Sequence, residues 1–212
     1  AARLRTDVRP ETARSIISYN RSPDVPFGRS INPYQGCEHG CIYCYARPSH
    51  AYLELSPGLD FETRLFAKLN AAELLRREFA KPGYQPDTIV LGANTDPYQP
   101  IEHHYRLTRQ LLEVMLAHRH PVGIITKSAM ILRDLDLLAE LAREGLCRVM
   151  VSVTTLNETL RRQLEPRAST GVGRLKVIEK LAQAGIPVGV LAAPMIPRLN
   201  EPELEQIIKG AV

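Results

Sequence analysis

Cys37, Cys41 and Cys44 are the residues of this chain whose type and spacing point most directly to chemistry. They lie in Gly36-Cys37-Glu38-His39-Gly40-Cys41-Ile42-Tyr43-Cys44-Tyr45, spaced C-x3-C-x2-C. Thiolates are soft ligands that select iron–sulfur clusters, zinc or Cu(I) over hard cations. Three of them in one short loop can each take an iron of a 4Fe-4S cube, leaving the fourth iron open to chelate a small molecule. A structural zinc site is the first alternative. It needs a fourth ligand, and His39 is the nearest, but zinc sites usually split their ligands into two separated pairs, whereas all four would crowd this loop. A disulfide framework fits less well: Cys147 has no obvious partner, and nothing points to secretion.

A loop of this kind needs elements to hold it. Residues 1–29 carry Pro10, Pro23 and Pro26 among many arginines and read as an extended arm with one short strand. Ser30 to Tyr34 reads as a strand running into the cysteines. Leu65, Leu69, Ala72, Leu75 and Phe79 mark one face of a helix that Pro82-Gly83 ends. Apolar runs then alternate with helical stripes. Strands are expected at Thr88–Leu91, Val122–Thr126, Arg148–Val153 and Pro187–Ala192. Between them, Leu107, Leu111, Val114 and Met115 mark one helix, and Leu132, Leu135, Leu138 and Leu141 another that Gly145 closes. Further helices fall near 157–164 and 172–184, and Asn200 reads as the N-cap of a last one with Pro202 in its first turn. Strands apolar on both faces alternating with amphipathic helices predict parallel βαβ units with right-handed crossovers. The fold class is therefore α/β, with 1–29 as a basic arm and 30–212 as the domain.

Composition narrows the function classes. The chain has 212 residues, 44% hydrophobic and 24% charged, ordinary values for a globular domain. Its net charge of +4 is too mild to announce nucleic-acid binding. The excess is nevertheless local: Arg3, Arg5, Arg9, Arg14, Arg21 and Arg29 face only Asp7, Glu11 and Asp24 within the first 30 residues. A solvated arm is one reading and an anionic partner the other. The longest apolar candidate, Ile186 to Ile196, is interrupted by Pro187, Gly189 and Pro194, so no membrane span is expected. A cytoplasmic setting is expected, because the N-terminus lacks a signal pattern and the cysteines suit a reducing compartment.

In parallel βα folds, ligands bind at the carboxyl ends of the strands. Those positions here carry Gly92-Ala93-Asn94-Thr95-Asp96, Thr126-Lys127-Ser128, Ser152-Val153-Thr154-Thr155 and Ala192-Ala193-Pro194. The segments Cys41-Ile42-Tyr43-Cys44-Tyr45, Thr126-Lys127-Ser128, Leu132–Leu138, Ser152–Thr155 and Leu164-Glu165-Pro166-Arg167 together resemble the radical S-adenosylmethionine (radical SAM) superfamily. Within it, they are similar to the spore photoproduct lyase-like, DNA repair photolyase-like branch. The resemblance implies a partial (β/α)6 barrel with about five βα units before Val212. It also implies a 4Fe-4S cluster on Cys37, Cys41 and Cys44. SAM would be cleaved reductively to a 5′-deoxyadenosyl radical that abstracts hydrogen from a substrate, with electrons from a donor such as a flavodoxin or ferredoxin.

Site roles follow from the same resemblance. Lys127 and Arg167 are candidate partners of the SAM carboxylate, Ser152 and Thr154 of its ribose, and Tyr43 of its adenine. Thr95 and Asp96 stand where many relatives carry a Gly-Gly-Glu that meets the SAM amino group. Each has a plainer alternative: a snorkelling lysine, strand hydroxyls, a helix-end ion pair. Spore photoproduct lyases return a hydrogen atom from a cysteine after the second strand; Asn94 stands at or beside that position, and Cys147 begins a strand at the other end. Tyr43 and Tyr45 are candidate redox-active phenols. The substrate class implied is nucleic acid, in DNA repair or modification. A peptide or metabolite substrate stays open, as does a non-enzymatic zinc protein that binds nucleic acid.

Overall fold

Apolar parallel strands must be covered, and in this chain the helices between them pack against one face of the sheet while the other faces the interior of a partial barrel. The computed structural model describes residues 5–212; Arg3 of the basic arm lies outside the described residues. In chain order the elements are β1 (Asp7–Glu11), β2 (Ile17–Tyr19), β3 (Arg29–Ile31), β4 (Tyr34–Gln35), α1 (Asp60–Thr63), β5 (Arg64–Lys68) and α2 (Ala71–Phe79). Then follow β6 (Ile89–Leu91), α3 (Glu102–Tyr105), α4 (Leu107–Ala117), β7 (Val122–Thr126), α5 (Leu135–Arg143), β8 (Cys147–Ser152), α6 (Glu158–Leu164), α7 (Gly171–Gln183), β9 (Val188–Leu191) and α8 (Leu204–Gly210).

The main sheet runs β2-β3-β6-β7-β8-β9. The last five strands are parallel, and β2 closes one side antiparallel to β3. Its register sets Ile31, Leu91, Ile124, Val149 and Val188 in one row across the parallel strands. Leu111 and Met115 of α4, Leu138 and Leu141 of α5, and Leu181 of α7 are completely buried in the core that this sheet helps to form. Each such side chain contributes roughly 1.5–3 kcal/mol by leaving water. This is an α/β partial parallel barrel, with the ends of β6–β9 converging on one mouth.

Two sequence expectations give way, and a third holds in position only. Residues 65–69 are not helical: Arg64–Lys68 is a strand with Leu65 and Ala67 buried, and the helix starts only at Ala71. Leu65 and Leu69 lie four apart and fit a helix. Leu65 and Ala67 alternate with half-buried residues, and the period of two wins because β1 and β4 pair on either side of β5. The basic arm is therefore two strands built into two sheets, β1 beside β5 and β2 beside β3. Asn200 does stand at the N-cap position, just before the short helix Glu201–Glu203 that leads into α8, with Pro202 in its first turn, but its side chain does not cap that helix. The residue is fully buried, its amide donates to the carbonyls of Thr154 and Pro194 at 2.7 and 2.8 Å, and its oxygen accepts from Ile196 N.

Candidate active site

The segment from β4 to α1 folds back over the barrel mouth because its backbone is tied at several points. Cys37 N donates to Phe61 O at 2.8 Å, and Ile42 N to Leu164 O at 3.0 Å. The Gln99 side chain bridges the loop, donating to Gly36 O and accepting from Glu38 N, each at 3.0 Å. Gly92, at φ +92°, turns the chain after β6; a Cβ there would strike the Ile125 carbonyl. The result is a cavity of about 360 Å³ at the carboxyl ends of the parallel strands. Cys37, Cys41 and Cys44 line it, with Tyr43, Tyr45, Asn94, Asp96, Lys127 and Ser152.

The donor set fits an iron–sulfur cluster. Three free thiols share one cavity. A cube asks for that arrangement, because each thiolate takes a different iron. Burial, with Glu165 nearby, pushes the Cys41 thiol up to about 12, so metal binding there must displace a proton. Cys147 is the first residue of β8, buried and registered against Val122, whereas Ser152 at the far end of the same strand meets the cavity. Five residues of extended chain put them roughly 16 Å apart.

Glu165 anchors the floor. Its carboxylate, fully buried, accepts from the Tyr43 hydroxyl, the Thr154 hydroxyl at 2.7 Å and the Arg174 guanidinium, and Lys127 Nζ lies 3.4 Å away. Arg174 is itself 1% exposed and also donates to the carbonyls of Ser152 and Ser169 at 2.9 and 2.8 Å. Lys127 Nζ sits 5.7 Å from the centre of the Tyr43 ring. One carboxylate thus faces two cations, and the surplus positive charge falls on Lys127, the one that reaches the cavity. Burial favours a neutral Glu165, but Arg174 and Lys127 outweigh it and hold its pKa down at about 2. The sequence reading missed Glu165 and Arg174. A signal existed for the second: Arg174 lies on the apolar stripe with Val177, Ile178 and Leu181, where only a neutralised charge can stay.

Asp96 plays the corresponding part at the end of β6. It is buried, accepting from the Thr126 hydroxyl and the Lys127 amide at 2.7 Å each and lying 3.4 Å from His39 Nδ1. Burial pushes its carboxyl up, but His39 and these donors prevail and leave it below its ordinary value. Asp96 therefore fastens the strand ends while presenting one edge to the cavity. Thr95, Thr154 and Arg167 do not line the cavity. The Thr95 hydroxyl donates to Tyr34 O at 2.9 Å, Thr154 is bound to Glu165 and Ala193 O, and Arg167 is engaged by Glu62 and Glu38 O. Their side chains are engaged by these internal partners. The Tyr45 hydroxyl donates to Ala93 O, so its exposed ring lies over the residue before Asn94.

The family model described as the radical SAM superfamily matches residues 31–211. The chain belongs to the radical SAM superfamily. Its cofactors are accordingly a 4Fe-4S cluster and SAM. An uncharacterized protein of Mycobacterium tuberculosis is 39% identical over 177 residues, covering 84% of this chain and 52% of the relative. The chain thus spans about half the length of that curated relative. A spore photoproduct lyase complexed with dinucleoside spore photoproduct superposes with a TM-score of 0.65 at 20% identity, covering 96% of this chain and 54% of that one. A double mutant of the lyase with bound AdoMet and the same dinucleoside gives 0.63 at 20% identity, covering 88% of this chain and 51% of that one. At such identity the likeness is one of fold. No helix among the described residues is long and apolar enough to cross a membrane.

For a radical SAM enzyme, the surplus charge on the cavity floor gives a test. A charge-assisted hydrogen bond to a carboxylate contributes roughly 1.5–3 kcal/mol, so Lys127→Ala is expected to weaken anaerobic SAM binding about tenfold to a hundredfold. Unchanged affinity would reassign Lys127 to holding Glu165.

Proposed function

We propose that this radical SAM enzyme abstracts hydrogen from a nucleic-acid substrate and works without a thiol hydrogen donor. The observation that carries the reading is the cavity itself: three thiols, the Lys127 ammonium and the Ser152 hydroxyl share it at the strand ends. When bound, the cluster supplies one electron for reductive cleavage of SAM, and so a carbon-centred radical for hydrogen abstraction. The chain's own residues do the rest. Cys37, Cys41 and Cys44 hold the cluster, Lys127 pairs with the SAM carboxylate, and Ser152 offers its hydroxyl to the ribose. Tyr43, with its hydroxyl tied to Glu165, supplies a fixed ring at the cavity wall. The electron donor is a one-electron carrier such as a flavodoxin or ferredoxin.

Nucleic acid is supported by two observations. The fold likeness is to a lyase complexed with a dinucleoside lesion. Arg5, Arg9, Arg14 and Arg21 also lie exposed on the N-terminal strands and their links. Phosphate contacts make affinity fall steeply with salt, so binding to DNA should lose strength between low and moderate ionic strength in proportion to the arginines engaged.

The reaction is tested by anaerobic incubation with SAM and dithionite, following 5′-deoxyadenosine with DNA, RNA, peptide or no addition. Greater release with nucleic acid than with peptide is the expected result. Stimulation by peptide alone would overturn the substrate class, and zinc without iron or sulfide in the reconstituted protein would overturn the enzyme reading. Asn94 lines the cavity, and an amide N–H is too strong a bond to give up a hydrogen atom as a thiol does. The three loop thiols are assigned to the cluster, and Cys147 is remote. Incubation with spore photoproduct should therefore give no sustained repair; robust turnover would contradict the thiol-free reading.

A further inference from the structure

The cysteine loop is gripped from outside the cavity by two arginines that share one carboxylate. Arg47 Nε donates to the Cys41 carbonyl at 3.0 Å, and Arg167 Nε donates to the Glu38 carbonyl. The two guanidiniums then converge on opposite oxygens of Glu62. Arg47 also donates to the carbonyls of Pro57 and Gly58 at 3.3 and 2.9 Å, which fixes the direction of its side chain. The side chains of Arg47, Glu62 and Arg167 are 15%, 13% and 22% exposed, so these ion pairs are screened less than surface pairs.

Gly40 sits between the two gripped carbonyls at φ +66°. A Cβ at that position would collide with the Arg167 guanidinium and the Glu62 carboxylate. The missing side chain is therefore the space that the ion triad fills. None of the three charged residues lines the cavity. Whatever they do for the reaction passes through the backbone they hold.

Two guanidiniums brought to one point repel each other, and Glu62 is the group that allows them to stay. Without it, each arginine gains by turning toward water, and each that turns takes a hydrogen bond from a carbonyl between Cys37 and Cys41. We propose that Arg47, Glu62 and Arg167 are positioning residues that preset the backbone of the cysteine loop, and that they govern how tightly the cluster is retained. The proposal rests on the cluster assigned above to Cys37, Cys41 and Cys44.

The test uses the full chain, reconstituted anaerobically, and follows the rate at which a ferrous chelator removes iron. Glu62→Ala is expected to lose iron about tenfold faster than wild type, as for the loss of charge-assisted hydrogen bonds. Glu62→Gln, nearly the same shape and still able to accept one hydrogen bond, should fall between the two. Glu73→Ala, which breaks the exposed Glu73–Arg77 pair, should match wild type. The electron paramagnetic resonance signal of the reduced cluster should broaden in the Glu62 variants as the loop samples more shapes. Folded Glu62 variants that release iron at the wild-type rate would overturn the proposal. So would variants whose iron loss merely tracks their rate of global unfolding. If Glu62→Ala does not fold, Glu62→Gln decides. A wild-type chain that takes up no iron and sulfide would instead remove the cluster reading, and this proposal with it.

Discussion

Replacing Cys37, Cys41 or Cys44 by alanine is expected to abolish SAM cleavage and to lower iron and sulfide content sharply, whereas Cys147→Ala should change neither. Each loop thiol is assigned to a separate iron, so none can substitute for another, and the only other cysteine is buried at the opposite end of β8. The measurement is iron and sulfide per chain after anaerobic reconstitution, with 5′-deoxyadenosine release alongside. Full loading and cleavage in Cys41→Ala would sink the assignment. Iron loss in Cys147→Ala would show that burial at the base of the strand matters to the loop through the sheet.

The second large effect is one of stability. Glu165→Ala leaves Arg174 buried without its counter-charge and removes the acceptor for Tyr43 and Thr154. Breaking a buried pair from one side costs about 3–5 kcal/mol, out of a total stability on the order of 5–15 kcal/mol. Urea denaturation of the cluster-free chain should show that loss, and a change below about 1 kcal/mol would mean that water reaches Arg174. The pH dependence has a definite sign. The folded-state pKa of Glu165 is lowered from its ordinary 4.5 to about 2. Its contribution is therefore complete above the ordinary value and fades as pH falls toward about 2. Glu165→Gln, which cannot ionise, should flatten that acid limb.

These outcomes also bear on what could be read in the residues. The five parallel strands were legible because runs such as Ile89-Val90-Leu91 and Val149-Met150-Val151 are apolar on both faces, a pattern that few other environments support. β5 was not. Leu65 and Leu69 satisfy a helical spacing, and its partner Asp7–Glu11 lies far away in sequence, so no local signal announced the pairing. At the site, the sharing of one cavity by the cysteines and Lys127 could be read from their positions after strands. The setting of Arg167 could not, because its partner Glu62 lies 105 residues earlier. A cation's position says where it starts; which carboxylate captures it is decided by packing. Asn200 illustrates the same limit: it stands where a cap is expected, but Ile196 N has claimed the side-chain oxygen that would accept from the helix, and its amide donates to the Thr154 carbonyl.

The bond from Tyr43 to Glu165 has a consequence for the chain's history as well as its chemistry. The two residues lie 122 positions apart. At about 5–20 residues per second of synthesis, the seat beneath the cysteine loop emerges on the order of ten seconds after the loop itself. For that interval the three thiols leave the ribosome without the floor that later seats Tyr43 beside them. The full set of groups that holds Tyr43, namely Glu165 and the Arg174 of α7, is assembled only after that interval.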